Sequence, residues 1–274
     1  MMPALKKNKK AATGASLARS AKKVRVLRRR GRPSGVESAL LDRETILSVA
    51  FQLTKSVPLA DISIIRVARE LGVTPALIHY YMGGRDAVTS GIMNLFYRQL
   101  VEAWPQKVSP DWRHHLEVAA DTVYRAYLRY PGIAAYVVSH NRFRMVQNTA
   151  ENEVDYGILF FERFCAAVQS IGFNASLTGT YAHLLIEYII SSAHSTVRHM
   201  WPGEHRDFLD RKLSALDPVQ FPATHFVREG LINLNASAAF TVGLGLLLQA
   251  LEINRDNSGQ RRVETLAVAC SPAR

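Results

Sequence analysis

Residues 63–82 read SIIRVARELGVTPALIHYYM, and the fold turns on this stretch. Ser63 is placed to cap a short helix, its hydroxyl accepting from an amide of the first turn. Ile62 before the cap and Val67 at the fourth helical position have the spacing of a hydrophobic staple. Ile64, Val67, Ala68 and Leu71 then share one helical face. Gly72 suits the left-handed conformation that ends a helix. Thr74 caps the next helix and Pro75 opens it, where its missing amide hydrogen costs nothing. In that second helix Ile78 and either Tyr81 or Met82 point back at the first, while Ala76, His79 and Tyr80 point away. Two helices across a tight turn can lay the second in the major groove of DNA. An ordinary helical hairpin in an all-α core has the same spacing, so spacing alone leaves both readings open.

Upstream, Asp42 caps a helix predicted over 43–57, with Ile46, Ala50, Leu53 and Val57 inward. Downstream, Gly83-Gly84 turns into a helix predicted over 85–100, with Val88, Ile92, Leu95 and Phe96 inward. Residues 43–88 resemble the DNA-binding domain of the TetR family of bacterial repressors. The resemblance rests on Ile46, Ala50 and Leu53, then Ala68, Leu71, Gly72, Val73 and Thr74. It continues through Ile78, His79, Tyr80, Tyr81, Met82, Gly84, Arg85, Asp86 and Val88. His79 stands where the family has Tyr, Met82 where it has Phe, and Arg85 where it has Lys. The candidate DNA contacts in this region are Ser63, Thr74, Pro75, Ala76, Leu77, His79, Tyr80, Tyr81 and Arg85. The opening amides of the helix after Gly84 suit a phosphate, and Arg85 adds a charge-assisted contact.

Charge is unevenly placed. Residues 1–35 hold 12 of the 34 Lys and Arg and no Asp or Glu, leaving 22 basic against 23 acidic residues in the remainder. A nearly neutral body thus carries a basic arm, a pattern that goes with disorder and an anionic partner. The arm lacks the apolar centre of a secretory signal. At its end, Arg28-Arg29-Arg30-Gly31-Arg32-Pro33 contains Arg-Gly-Arg-Pro, the core of an AT-hook. There glycine permits close approach to the narrow minor groove, and arginines follow its negative potential. Arg28, Arg29, Arg30 and Arg32 are therefore candidate DNA contacts; a tail that only contacts phosphates is the alternative. Cys165 and Cys270 form no metal-ligand pattern, and a reducing cytoplasm is expected. No apolar run is read as a membrane span.

Beyond Pro105 and Pro110 the spacing predicts a helix over 111–129 with Trp112, Leu116, Ala119, Val123 and Tyr127 on one face. Tyr130-Pro131-Gly132 ends it. A short helix is expected over 133–140, a polar stretch over Asn141–Asn152, and a helix over 153–171 with Ile158, Phe161, Cys165 and Val168 inward. Residues 176–200 read as a buried helix interrupted by one polar stripe, His183, Glu187, Ser191, His194 and Arg198. Glu187, between Ile186 and Tyr188-Ile189, is read as buried and in need of a partner: His183, a ligand, or a metal. Residues 202–235 suggest a helix near 205–216 and a loop through Pro218 and Pro222. An apolar helix over 236–254 follows, where Gly243 and Gly245 allow close helix approach, and then a frayed tail after Arg255. No internal repeat, cofactor fingerprint or catalytic constellation is present.

The expected fold is all-α: an N-terminal three-helix helix-turn-helix DNA-binding domain plus a C-terminal helical ligand-binding and dimerisation domain. The boundaries are a basic arm 1–35, a DNA-binding domain 36–88, a body 89–256 and a tail 257–274. The resemblance implies a transcriptional regulator, a repressor released from a palindromic double-stranded operator by a small-molecule inducer. It implies a homodimer through 176–200 and 236–254, no enzyme activity, no cofactor and no metal. Tyr127, Tyr136, Phe161, Phe164, His183, Glu187 and His194 are the candidate ligand contacts. An architectural DNA-binding protein dominated by its arm is the other reading.

Overall fold

Asp42 opens the first described helix, its carboxylate accepting from the Thr45 amide at 2.7 Å. That bond holds the Asp42 carboxyl below its ordinary range. The computed structural model describes residues 41–105, 111–139, 149 and 153–269, with side chains through 256. The basic arm with Arg28, Arg29, Arg30 and Arg32, nearly all of Asn141–Asn152, and Cys270 lie outside the described residues. Among the described residues there are helices and turns but no strand.

The first helix, α1 (Arg43–Leu53), buries Ile46, Leu47, Ala50 and Phe51. It ends short of the expected Val57 because Thr54, Lys55 and Ser56 each donate an amide three residues back, and the Thr54 hydroxyl donates to the Phe51 carbonyl at 2.6 Å. Such tighter turns satisfy carbonyls that a helix end leaves free. A 3-10 turn (Leu59–Asp61) leads to α2 (Ile64–Glu70) and α3 (Pro75–Met82), then α4 (Arg85–Ala103). Helix α4 runs three residues past the expected end and is shared between two packing partners. Gly91 lies against Leu47 of α1, where an added Cβ would come within 2.5 Å of that side chain. Further along, Phe96, Tyr97 and Leu100 are buried in the body.

Asp111 caps α5 (Trp112–Arg129), accepting from the amides of Arg113 and His114. The expected break at Tyr130-Pro131-Gly132 is a single residue wide: Pro131 opens α6 (Pro131–Ser139) directly after Tyr130. Proline suits that first position because its nitrogen needs no partner there. Helix α7 (Tyr156–Gln169) is capped by Asp155. Its inward face differs from expectation. Ile158 and Phe161 are 45% and 42% exposed, while Phe160, Phe164, Ala167 and Val168 are buried. Phe160 packs 5.5 Å from the Tyr97 ring and 5.9 Å from Trp104, which fixes the helix's rotation.

Helix α8 (Ala175–Val197) is followed by a 3-10 turn (Pro202–His205), α9 (Arg206–Ser214) and α10 (Pro222–Ile232). The loop expected through Pro222 is therefore a helix in which Pro222 takes the first turn. The last helix, α11 (Ala236–Ala269), continues past Arg255, where fraying was expected. Its Phe240 ring stacks between Tyr124 of α5 at 3.9 Å and Tyr188 of α8 at 5.7 Å. Gly243 permits this approach: an added Cβ would stand 2.1 Å from the Tyr188 hydroxyl, whereas Gly245 has nothing within 4 Å. Residues Ala236–Asp256 are long and apolar enough, at mean hydropathy 1.6, to cross a membrane by composition, contrary to the sequence reading. The same helix places Phe240, Leu244, Leu248 and Leu251 in the core.

Gly132 is the tightest point. Its amide donates to the Thr54 carbonyl at 2.9 Å, and an added Cβ would stand 2.0 Å from the Val57 carbonyl oxygen. Gly132→Ala is expected to lower stability by about 1–3 kcal/mol, since backbone must shift to admit the methyl. Gly179→Ala, in open space within α8, should be neutral or gain up to about 1 kcal/mol from helix propensity. Urea unfolding of both variants checks this; equal midpoints would show that the packing around Gly132 is slack.

Candidate functional site

The helix pair has the predicted local chemistry. The Ser63 hydroxyl accepts from the Arg66 amide at 3.2 Å, and the Thr74 hydroxyl from the Leu77 amide at 3.4 Å. Gly72 sits at φ +68°, and the Val73 amide donates back to the Ala68 carbonyl at 2.9 Å. Ile62 and Val67 are both buried, as a staple requires. Ile78 and Met82 enter the core, Tyr81 and Leu77 are half-buried, and Ala76, His79 and Tyr80 are exposed. Tyr80 is 81% exposed, its ring edge-on to Tyr81 at 5.3 Å. The His79 Nδ1 lies 3.1 Å from the Gly83 carbonyl. A carbonyl only accepts, so Nδ1 carries the proton of that bond and Nε2 remains for an outside partner. The Arg85 guanidinium donates to the Ala60 carbonyl and is otherwise exposed. It thereby ties the start of α4 to the 3-10 turn. Arg66 and Arg69, which the sequence reading did not single out, are exposed on α2.

Three of the seven candidate ligand residues meet in the body. Phe161, Phe164 and His183 line a cleft of about 240 Å³ between α7 and α8, with Cys165, Gly179, Ala182 and Ile186. The last four were not expected. Gly179 and Ala182, three residues apart on α8, leave the room that Phe161 and Phe164 face. The other candidates lie elsewhere. Tyr127 is buried in the core, 4.9 Å from Phe96, and Tyr136 is buried on α6. Burial pushes the Tyr97 and Tyr127 phenols well above their ordinary range. Glu187 is exposed, not buried. Ile186 and Ile189 do enter the core, but residue 187 projects about 100° away from 186 on the helix. His183, Ser191 and Arg198 are exposed with it, and among the described residues no hydrogen bond or ion pair joins His183 to Glu187. His194 is half-buried; burial, then the Arg198 cation, holds its imidazole below the ordinary range. Among the described residues no group of three His, Cys, Asp or Glu is placed to hold a metal ion.

The first helix α1 and the body meet at Tyr130. Its ring stacks on Phe51 of α1 at 4.5 Å, and its hydroxyl donates to Gln99 Oε1 of α4 at 2.8 Å. The Lys55 ammonium and Arg129 guanidinium lie 5.9 and 5.6 Å from the ring centre. A second clasp is Asn94 of α4, which donates to the Val154 carbonyl and accepts from the Tyr156 amide, both at 2.9 Å. Nearby, Arg43 of α1 pairs with Glu153 at 3.5 Å.

Residues 104–254 match the family model of the tetracyclin repressor-like C-terminal domain. Among solved structures, apo ActR from Streptomyces coelicolor is 18% identical, with a TM-score of 0.67 over 80% of this chain and 98% of that one. ActR in complex with actinorhodin gives 18% and 0.66, over 79% and 97%. A TetR transcriptional regulator from the same organism gives 20% and 0.61, over 77% and 97%. At these identities the likeness is one of fold. No curated protein matches the sequence. The family match covers more than half of the chain, and the chain belongs to the TetR family of helix-turn-helix transcriptional regulators.

Proposed function

We propose that the protein is a homodimeric repressor that leaves a palindromic operator when a small-molecule inducer binds its body. The observation that carries this reading is the outward face of α3. Ala76, His79 and Tyr80 stand exposed on a helix fixed from behind by Ile78 and Met82 and capped by Thr74. A rigid helix with small and hydrogen-bonding residues outward suits base edges in a major groove. Arg28, Arg29, Arg30 and Arg32 are assigned to the adjacent minor groove, where arginine follows narrow A·T-rich DNA. Arg66 and Arg69 supply phosphate contacts beside Arg85.

For the dimer, Val242, Leu246 and Ile253 form an exposed apolar stripe on α11, and Leu184 is exposed on α8. Exposed stripes on two neighbouring helices fit an isologous interface with a second copy, which a palindromic operator requires. The polar residues Glu187, Ser191 and Arg198 belong to that face of α8, while His183 turns toward the α7–α8 cleft. Gly245, with open space around it, leaves room for the partner's helix. For the inducer, the α7–α8 cleft lined by Phe161, Phe164 and His183 fits an apolar or aromatic molecule. ActR, on the same fold, is known in complex with actinorhodin and with (S)-DNPA. Inducer binding acts by differential affinity for two arrangements of the dimer. Tyr130 and Gly132 carry the change from body to α1.

Three measurements test this reading. Genomic fragments selected by the protein supply the operator. His79→Ala and Tyr80→Ala should each weaken it by roughly 1–3 kcal/mol for every base edge no longer read, with unchanged circular dichroism. Parental affinity in both would remove α3 as the reading helix. Val242→Glu with Leu246→Glu should give a folded monomer by sedimentation. Leu248→Glu is not an interface test, because Leu248 is wholly buried in its own chain. A fully dimeric double variant would place the interface elsewhere. Removing residues 1–35 should keep operator preference but reduce the slope of log affinity against log salt by roughly 0.9 for each phosphate that the arm neutralises. An unchanged slope would show that the arm does not touch DNA, and loss of preference would favour an arm-dominated architectural protein.

A further inference from the structure

The His79 ring is tied to the end of its own helix. Gly83, at φ +79°, turns the chain out of α3, and its amide donates to the His79 carbonyl at 2.8 Å. In the other direction, the His79 Nδ1–H donates to the Gly83 carbonyl at 3.1 Å. The two residues thus exchange one backbone bond and one side-chain bond. That exchange sets the direction of the ring and its tautomer. With the proton on Nδ1, a neutral imidazole has only a lone pair at Nε2. His79 is exposed, so Nε2 is open to a partner from outside.

A lone pair is the wrong group for most of a DNA surface. Phosphate oxygens only accept, as do guanine N7 and O6, adenine N7 and thymine O4; in the major groove only the amino groups of adenine and cytosine donate. The corner beside the ring is also made of donors. Gly84 opens α4 without a side-chain cap, which leaves the first amides of that helix without an intrahelical partner. Arg85 is exposed next to them. We infer that operator binding takes up a proton at His79 of each recognition helix, the imidazolium donating from Nε2 to an acceptor on the DNA. The proton comes from solvent. The Nδ1–H bond to Gly83 is kept, so the clamp survives the change. The bond to DNA exists only with the charged ring, so the bound form holds its proton to a higher pH than the free form. Affinity therefore rises as pH falls through the imidazole range and levels off where the free ring is already charged.

Of the elements packed against α3, α2 brings Arg66, Arg69 and Glu70, and α4 brings Arg85 and Asp86 just past Gly83. Helix α1 brings Glu44 and also Arg43, which pairs with Glu153. Further along α4, Tyr97 is buried in the body and Arg98 pairs with Glu102. Among the described residues none of these groups, nor Tyr80 or Tyr81 on α3 itself, makes a hydrogen bond or ion pair with the His79 ring. The inference rests on α3 being the helix in the groove, as proposed above.

The test uses the full chain and a duplex taken from the genomic fragments it selects. Between about pH 8 and 5.5, a range that spans an ordinary imidazole, affinity should rise about tenfold for each recognition helix, the scale of one charge-assisted bond. Calorimetry in two buffers of different ionisation enthalpy should count about one proton taken up per recognition helix. His79→Ala should remove that proton and flatten the slope. His79→Lys, a lasting cation, should bind more tightly than His79→Ala and equally across the range. Both variants lose the Gly83 bond, so a difference between them reports charge and not the clamp. A scrambled duplex identifies the acceptor: equal loss on both duplexes in His79→Ala is a phosphate, and loss on the selected duplex alone is a base edge. Absence of proton uptake, or affinity that falls in acid as an amino-group partner requires, would overturn the inference. If Tyr80→Ala weakens binding while His79→Ala keeps the parental slope, the inference alone fails. If neither variant changes binding at any pH, α3 is not the reading helix and the proposed function of that helix fails with it.

Discussion

The stack of Tyr130 on Phe51 is the contact on which the arrangement of the molecule depends. Tyr130 is the only residue between α5 and α6, so its position is fixed by two helices of the body at once. Its ring face lies on α1 and its hydroxyl on Gln99 of α4. A buried aromatic pair with a satisfied hydroxyl resists rotation as well as separation, because either motion strands the hydrogen bond or opens a void. Gly132, two residues on, removes the space in which α1 could settle differently. The helix pair that faces outward is thus held in part through α1.

Charge and shape are divided along the chain. The outward face of α3 offers Ala76, His79 and Tyr80, none of them a permanent cation, and Arg85 is engaged with Ala60. The excess positive charge lies in residues 1–35. A helix that reads with hydroxyl and imidazole groups is insensitive to salt, whereas a string of lysines and arginines is very sensitive. On the reading proposed above, such a division would let α3 set preference and the arm set most of the salt-dependent strength.

The helix-turn-helix was legible because each signal in it has one steric meaning. Gly72 stands where only a left-handed residue fits, Pro75 where no amide hydrogen is needed, and Ser63 and Thr74 where a hydroxyl can accept. The body was less legible because its sequence is apolar in runs. In Ile158-Leu159-Phe160-Phe161 every position is apolar, so periodicity cannot choose a face; the Tyr97 and Trp104 rings of α4 and its C-terminal end make the choice. Glu187 misled for a related reason: neighbours in sequence are not neighbours on a helix surface. Pro222 read as a break because proline both ends and begins helices, and only the following residues decide.

Helix α5 has 18 residues, so at a rise of about 1.5 Å each it is roughly 27 Å long. His115 lies in its first turn and Tyr130 follows its last residue. With a single residue joining it to α6, there is no slack at the Tyr130 end to absorb motion. The helix is a stiff beam, clamped at that end by Phe51 and Gln99. A tilt of about 5° about its middle would shift each end by roughly 1 Å, given that length. That displacement is comparable to the misfit a close-packed surface tolerates before it must rearrange.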